Sequence, residues 1–343
     1  MLSRRQALAG AAALLAADPL LAAPAALAAD DGLAALYAAA KKEGKVAMYT
    51  SVPTFLLKRW QALFQKAYPG IDVSFFRSGT GKVLARIDSE LRAGALGGDV
   101  VWMADPTAFA PLVASHAMLS YRPPEWQKLS LAKDPHGYFA AGRILLGVIL
   151  ANTQAGPVVK SYADLVKPEM KGKICIASPL ISGSTNMIDA ALLQAPAFGW
   201  KYFEALKKND VLVLNDVPDV ARAVASGERS SGISLTLYKY QPEYQNSPME
   251  IIMPSEGAVP VASPVGVFAK APHPNAAKLF YRFLLSVPAQ NILSENGIYP
   301  ANSDAAPPTG LPPLDKLKLL QPDPAWLMAN QREIQGHWRG LFG

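Results

Sequence analysis

Apolar and polar positions follow two different periods along the first part of the chain. Compact apolar runs at Lys45–Thr50, Ile71–Phe76 and Asp99–Met103 are typical of buried strands. Between them, apolar residues recur every three to four positions, which predicts amphipathic helices from Thr54 to Ala67 and from Lys82 to Ala93. The succession strand, helix, strand, helix, strand is typical of a doubly wound α/β unit around a parallel sheet.

The second part of the chain repeats this order. Strand-like runs occur at Lys173–Ala177, Asp210–Asn215 and Ser231–Leu237, with helix-like segments between them. A further apolar strand at Val265–Ala269 leads into an amphipathic helix over Asn275–Leu285. We therefore predict two α/β halves, each with polar turns at the ends of its strands.

The first residues have the pattern of an export signal. Arg4 and Arg5 form a positive start, an apolar stretch runs from Ala7 to Ala17, and Ala26–Ala28 supplies the small residues of a cleavage site. The start is similar to a twin-arginine signal, and an ordinary Sec signal is the alternative. We expect residues 1–29 to be removed and the mature protein to reside in the periplasm, or to be held outside by a partner.

Composition and charge narrow the classes of function. Hydrophobic residues make up 50% of the chain and charged residues 17%, which excludes general disorder. The net charge of +6 is small, and the basic residues are spread along the chain instead of forming a cluster. This fits a protein that binds a small anionic ligand and not one that binds nucleic acid. A single cysteine, Cys175, excludes an internal disulfide and a thiolate metal cage. The 4 histidines lie far apart, so we expect neither a metal nor a cofactor.

Polar turns of small residues follow several predicted strands, and each turn precedes a helix. Ligands of parallel sheets bind at these strand ends, and a helix start offers free N–H groups and partial positive charge to an anion. For any single turn, a helix cap without a ligand is the alternative. Repetition in two matched halves favours a shared cleft. The turns are Thr50–Thr54, Ser78–Gly81, Ala104–Thr107 and Ser182–Asn186.

No motif for catalysis is complete in this sequence. The segment Gly79–Lys82 is not a phosphate-binding P-loop, because Phe76 stands where the first glycine is needed and Val83 follows the lysine. Ser184 lacks the second glycine of a nucleophile elbow. We therefore predict no catalytic residue, and an exported α/β hydrolase that uses Ser184 is the alternative from another class.

Several segments between residues 40 and 305 match a known family in their order and spacing. They are Val46–Ser51, Arg77–Gly81, Gly98–Trp102, Pro168–Ile174, Ser182–Ser184, Pro254–Gly257, Ala276–Phe280 and Phe283–Ser286. Together they resemble the type 2 periplasmic solute-binding proteins of ABC importers, in the branch that includes binders of ferric iron, sugar phosphates and 2-aminoethylphosphonate.

The resemblance implies two doubly wound lobes joined by a hinge, with the ligand cleft between them. It implies a discontinuous first lobe of residues 30–140 and 266–343, and a second lobe of residues 141–265. It also implies a monomer whose ligand-bound form is recognised by an ABC permease in the inner membrane. A sensor that passes its ligand state to a membrane kinase is the alternative to transport.

The tyrosines after the third strand of the second half bear on the ligand. Iron binders of the resembled family use two adjacent tyrosines there, whereas this chain has Leu237 followed by Tyr238, and its next tyrosine is Tyr240. Fe³⁺ needs hard anionic oxygen ligands. We therefore predict a small oxyanionic organic ligand, such as a phosphonate, a sugar phosphate or a carboxylate, and keep Fe³⁺ as the alternative.

The predicted ligand-binding residues come from the polar turns and from two positions later in the chain. For Glu256, a turn cap is the alternative to a place in the cleft. Arg143 is considered as an anion partner, with a surface or hinge position as its alternative. The predicted set is Ser51, Ser78, Gly79, Thr80, Asp105, Ser182, Gly183, Ser184, Thr185, Tyr238 and Glu256.

Overall fold

The structure is a computed structural model that describes residues 31–130 and 133–343, so the predicted export signal lies outside the described residues. The α-helices of this part of the chain are α1 (Asp31–Glu43), α2 (Thr54–Ala67), α3 (Thr80–Arg92), α4 (Phe109–Ala114), α5 (Gly183–Gln194), α6 (Trp200–Lys208), α7 (Val217–Ala225), α8 (Pro274–Leu285), α9 (Val287–Ser294) and α10 (Pro324–Phe342). The strands are β1 (Lys45–Thr50), β2 (Asp72–Arg77), β3 (Val100–Trp102), β4 (Ala140–Asn152), β5 (Ile174–Ala177), β6 (Leu212–Leu214), β7 (Ser231–Leu235), β8 (Met249–Ile252), β9 (Val259–Val267) and β10 (Tyr299–Pro300).

All these strands belong to one mixed sheet with the order β2–β1–β3–β9–β4–β7–β5–β6, and β8 and β10 pair with β4. Strand β1 is parallel to β2 and β3, and β5 is parallel to β6 and β7. We call β1–β3 with α1–α4, α8 and α9 the first lobe, and β5–β7 with α5–α7 the second lobe. The two lobes repeat one strand order, and the predicted fold of two doubly wound lobes is confirmed.

Strands β4 and β9 connect the lobes. All 13 residues of β4 are buried. Its first part pairs antiparallel with β9 and its second part pairs antiparallel with β7. Strand β9 in turn pairs antiparallel with β3. The two strands together therefore join the strands of one lobe to those of the other, as the hinge of a two-lobed protein requires.

Packing of the first lobe explains why α2 and α8 form where they do. Helix α2 buries an apolar face, on which the indole of Trp60 stacks on that of Trp102 with ring centroids 4.8 Å apart. The ring of Phe64 meets the edges of Phe280 and Phe283 from α8 at 4.9 and 5.2 Å. Burial of aromatic side chains on this scale fixes both helices against the sheet.

The last helix, α10, contacts both lobes. On the second lobe, the ring of Trp338 packs against Phe203, and His337 stacks on Trp200 with ring centroids 3.8 Å apart. The amide of Gln331 accepts a hydrogen bond of 3.3 Å from Asn186 in α5. Helix α10 also touches the short 3₁₀-helix Pro106–Ala108, which follows β3 in the first lobe. The helix therefore spans the two lobes at one side of the molecule.

Replacing Asp99 by alanine should destabilise the first lobe by about 3 kcal/mol, since its buried carboxylate serves several donors. Its oxygens accept hydrogen bonds from the backbone N–H of Ala47 and His273, both at 2.7 Å, and contact Nδ1 of His273 at 2.9 Å. Urea unfolding followed by circular dichroism measures the loss. Asp88→Ala is the matched control, because that carboxylate is exposed; an equal loss in both variants would contradict the assignment.

Candidate functional site

A cavity lies between the ends of the parallel strands of the two lobes. About 350 Å³ among its walls is not filled by protein atoms, counting the space that opens to solvent. The volume open to a water molecule is only about 20 Å³, little more than one water needs, so the walls of the cavity nearly meet in this arrangement. The predicted residues that line it are Ser51, Gly79, Thr80, Ser182, Gly183, Ser184 and Tyr238.

Two helices begin at the cavity wall. Helix α3 starts after Gly79, and no side chain caps it. Helix α5 starts after Ser182, whose hydroxyl accepts a hydrogen bond of 3.4 Å from the N–H of Thr185 and lies 3.2 Å from the hydroxyl of Ser184. Each helix start carries partial positive charge, so the two polar turns favour an anion in the cavity.

Glycines allow the two lobes to meet directly at the rim of the cavity. A Cβ atom on Gly79 would lie 2.7 Å from the carbonyl oxygen of Ile181. A Cβ atom on Gly183 would lie 2.5 Å from the hydroxyl oxygen of Thr80. The absence of a side chain is therefore what permits this approach, and the structure represents a closed arrangement of the lobes.

Asp105 does not line the cavity but links the lobes beside it. One carboxylate oxygen accepts hydrogen bonds from the N–H and hydroxyl of Thr107, and the other accepts a bond of 2.9 Å from Nδ2 of Asn186 in α5. Burial raises the pKa of Asp105, and the hydrogen bonds from Thr107 and Asn186 oppose that rise. These contacts favour a role for Asp105 in holding the two lobes together in the closed form.

Three other predicted residues are also absent from the cavity wall. Ser78 is half-buried, and its N–H donates to the carbonyl of Thr50 at 3.1 Å. Thr185 lies in the first turn of α5, and its buried hydroxyl has no hydrogen-bond partner within the described part of the chain. The carboxylate of Glu256 accepts hydrogen bonds of 3.1 Å from the N–H groups of Tyr162 and Ala163. Glu256 therefore caps a turn instead of facing the cavity.

Arg143, on the hinge strand β4, is a cavity residue outside the predicted set. Only 1% of its surface is exposed. Its Nε donates to the hydroxyl of Ser263 at 3.3 Å, and its guanidinium lies 5.4 Å from the ring centroid of Trp102. Its Nη1 is buried and has no hydrogen-bond partner among residues 31–130 and 133–343. A buried donor of this kind needs an acceptor, which a bound anion would supply.

Burial lowers the pKa of Arg143 to about 9, and the nearby Tyr238 opposes part of that fall. The guanidinium is therefore still protonated at neutral pH. Removing a positive charge from water without a partner is costly, and an anion in the cavity offsets that cost.

Arg77, Asp216 and Tyr238 complete the polar wall of the cavity. A guanidinium nitrogen of Arg77 lies 3.8 Å from the carboxylate of Asp216, which caps α7 by accepting a bond of 2.8 Å from the N–H of Val217. Burial raises the pKa of Tyr238 well above its usual value, so its hydroxyl is neutral. With Arg77 and Arg143 against Asp216 alone, the charged side chains of the wall sum to a positive charge.

The sequence contains a feature that could have identified Arg143 as a functional residue. Arg143 is the only charged residue in the apolar run Ala140–Asn152. A charge inside such a run needs a buried partner or a functional reason. Arg77 and Asp216 were not predicted either; each stands at a strand end or a helix cap, where a charge is common without any ligand.

The side chains considered for iron binding and for hydrolysis are not brought together in the described cavity. The hydroxyl of Tyr240 donates to the carbonyl of Thr309 at 3.1 Å, so this tyrosine does not join Tyr238. No histidine lines the described cavity. Within the residues that the structure describes, no group of His, Cys, Asp and Glu is arranged to hold a metal.

The described helices include none with the length and apolar character to cross a membrane.

Comparison with known proteins places these features in a wider context. Residues 45–299 match a family described as bacterial extracellular solute-binding protein. A Haemophilus influenzae protein described as uncharacterized is 26% identical over 281 residues, which cover 74% of this chain and 77% of that protein.

Two solved structures share the fold. The periplasmic binding protein AfuA from Actinobacillus pleuropneumoniae, with fructose 6-phosphate bound, has a TM-score of 0.79 and 23% identity, covering 87% of this chain and 98% of its own. Iron-bound HitA from Pseudomonas aeruginosa has a TM-score of 0.75 and 19% identity, covering 87% and 99%. At these identities the likeness is one of fold, and the side chains of the cavity carry the argument about the ligand.

Proposed function

Because this chain belongs to the family of bacterial extracellular solute-binding proteins, we propose that it captures a small organic oxyanion in the periplasm for an ABC importer. The ligand class is a phosphonate, a sugar phosphate or a carboxylate. The family consists of binding proteins and not of enzymes, so the cleft holds its ligand without converting it. Closure around the ligand presents one defined form to the permease.

The observation that carries the proposal is the buried guanidinium of Arg143 in the cavity wall. Arg143, whose Nη1 has no partner among the described residues, and the start of α3 line the same small cavity. Hydroxyls of Ser51 and Ser184 stand in the same wall and can donate to further oxygens. Together these groups suit a compact group with several anionic oxygens.

The cavity suits an oxyanion better than Fe³⁺. A trivalent cation would face the positive charges of Arg77 and Arg143, with Asp216 and the phenol of Tyr238 as its charged or ionisable oxygen donors in the described wall. Hard cations require several anionic oxygens close together. An oxyanion meets the same wall with complementary charge.

Isothermal titration calorimetry on the purified protein tests the ligand class. The panel contains 2-aminoethylphosphonate, fructose 6-phosphate, glycerol 3-phosphate, citrate and Fe³⁺. We expect at least one oxyanion to bind with a Kd of about 10 µM or tighter, and Fe³⁺ to give no absorbance band from phenolate to metal. Tight Fe³⁺ binding with such a band, or no binding by any anion, contradicts the proposal.

The identity of the membrane partner distinguishes a transport function from a sensing function. We expect the ligand-bound protein to stimulate ATP hydrolysis by a reconstituted ABC permease and its ATPase, as a delivering protein does. Capture of a membrane kinase in a pull-down with the ligand-bound protein, without any such stimulation, would favour the sensor. Light scattering checks the proposed monomer in the same preparation.

A further inference from the structure

A second chamber lies directly outside the cavity and shares part of its wall. Pro53, Arg77 and Tyr238 line both spaces. The outer chamber holds about 740 Å³ not filled by protein atoms, counting the space that opens to solvent. Its other walls come from both lobes, so it lies in the same cleft, next to the inner cavity.

Gln241 is a wall residue of the outer chamber whose amide needs a hydrogen-bond acceptor. This side chain lines the chamber and is only 6% exposed. Its Nε2 is buried and has no hydrogen-bond partner within the described residues. A buried amide donor without an acceptor is energetically unfavourable. A ligand oxygen at this place would remove that cost.

The remaining walls indicate what kind of group fits. Phe55 and Pro218 offer apolar surface from opposite lobes. Lys58 and Glu243 carry opposite charges, and Arg77, which also lines the chamber, lies 3.8 Å from the carboxylate of Asp216. The charges around the chamber are therefore offset and do not select a charged group. The chamber therefore suits a neutral, oxygen-bearing organic group, whereas the inner cavity with Arg143 suits the anion.

We propose that the outer chamber is a second subsite, which holds the neutral, oxygen-bearing part of a ligand whose oxyanion occupies the inner cavity. This inference rests on the proposed function. The ligand is then an ester or substituted derivative of the oxyanion, with an acceptor oxygen that reaches Gln241. Bare inorganic anions and simple methylphosphonate leave this donor unpaired.

Calorimetry with matched pairs of probes tests the subsite. Fructose 6-phosphate and glycerol 3-phosphate are compared with orthophosphate, and 2-aminoethylphosphonate is compared with methylphosphonate. We expect at least one extended phosphate to bind at least tenfold more tightly than orthophosphate. Gln241→Leu should lower the affinity for that probe at least tenfold and leave orthophosphate within twofold. Gln245→Leu, an exposed residue of the same segment, is the control.

The possible failures are distinct. If extended and bare anions bind equally, or if Gln241→Leu weakens both alike, the subsite is rejected while the proposed function stands. If no anion binds at all, the proposed function and the subsite both fall. A melting curve of ligand-free Gln241→Leu shows whether it folds; we expect a melting temperature at or above that of the wild type, because an unpaired amide is removed.

Cysteine labelling gives a second readout that does not depend on Gln241. The native Cys175 is buried, so a cysteine placed at the exposed Lys58 is the site that a maleimide can reach. We expect the extended phosphate that binds most tightly to slow labelling of Lys58→Cys at least fivefold, and saturating orthophosphate to leave the rate unchanged. Equal protection by both probes, or by neither, would contradict a ligand in the outer chamber.

Discussion

Replacing Arg143 by methionine is expected to abolish oxyanion binding and at the same time to stabilise the ligand-free protein. Loss of a buried, charge-assisted partner should weaken the affinity at least 100-fold, about 2.7 kcal/mol. The same substitution removes a buried charge whose Nη1 is unpaired, at the expense of one bond to Ser263. We expect the free energy of unfolding without ligand to rise by about 1 kcal/mol.

Calorimetry with the tightest anion of the panel and urea unfolding of the ligand-free protein measure the two effects. Arg92→Met is the matched control, because it removes the same charge from a side chain that is 77% exposed. This control should leave both quantities nearly unchanged. If Arg143→Met keeps the affinity, or if it destabilises the ligand-free protein by several kcal/mol, Arg143 is a structural residue of the hinge.

The second large effect is expected from Gly79→Ala, which should hinder closure. Its backbone angles, φ −61° and ψ 154°, are open to alanine, so the first lobe itself is not strained. The new Cβ would meet a backbone carbonyl of the other lobe at 2.7 Å, and a backbone atom cannot rotate away. We expect at least tenfold weaker anion binding, with an unchanged melting temperature of the ligand-free protein.

Small-angle X-ray scattering reports closure directly. With a saturating anion, the wild type should show a smaller radius of gyration than Gly79→Ala. Gly336→Ala is the control, because a Cβ there meets nothing within 4 Å. A Gly79→Ala protein that closes and binds like the wild type would show that the rims need not approach as closely as in this structure.

Local pattern was enough to predict most of the α/β units. Strand β1 begins and ends where the apolar run does, and α8 begins one residue from its predicted start. Strand β1 is a short continuous apolar run and α8 an apolar segment with helical spacing, so the signal for each lies within its own residues. The sequence also predicted that Gly79, Ser182 and Tyr238 lie near one another, because each follows a strand and the ends of parallel strands lie at one edge of a sheet. All three line the cavity.

Features that depend on distant pairing were not predictable in this way. Strand β4 is buried along its whole length, but two glycines and an arginine interrupt its apolar run, and the segment was not predicted as a strand. Strand β9 extends to Val259, well before its predicted start at Val265, because its added length pairs with β4. The position of Glu256 was set by two N–H groups almost a hundred residues earlier in the chain.

Helix α10 has a mechanical consequence for the cleft. The amide of Asn186 donates both to Asp105 of the first lobe and to Gln331 of α10. Any rotation that separates the lobes at Asp105 must also shift this helix or break its contact with Pro106–Ala108. The angle between the two lobes in the ligand-free protein is thus set partly by a helix that does not line the cavity. Substitutions along α10 are therefore expected to change the fraction of protein that holds ligand in the cell without changing the residues that bind the ligand.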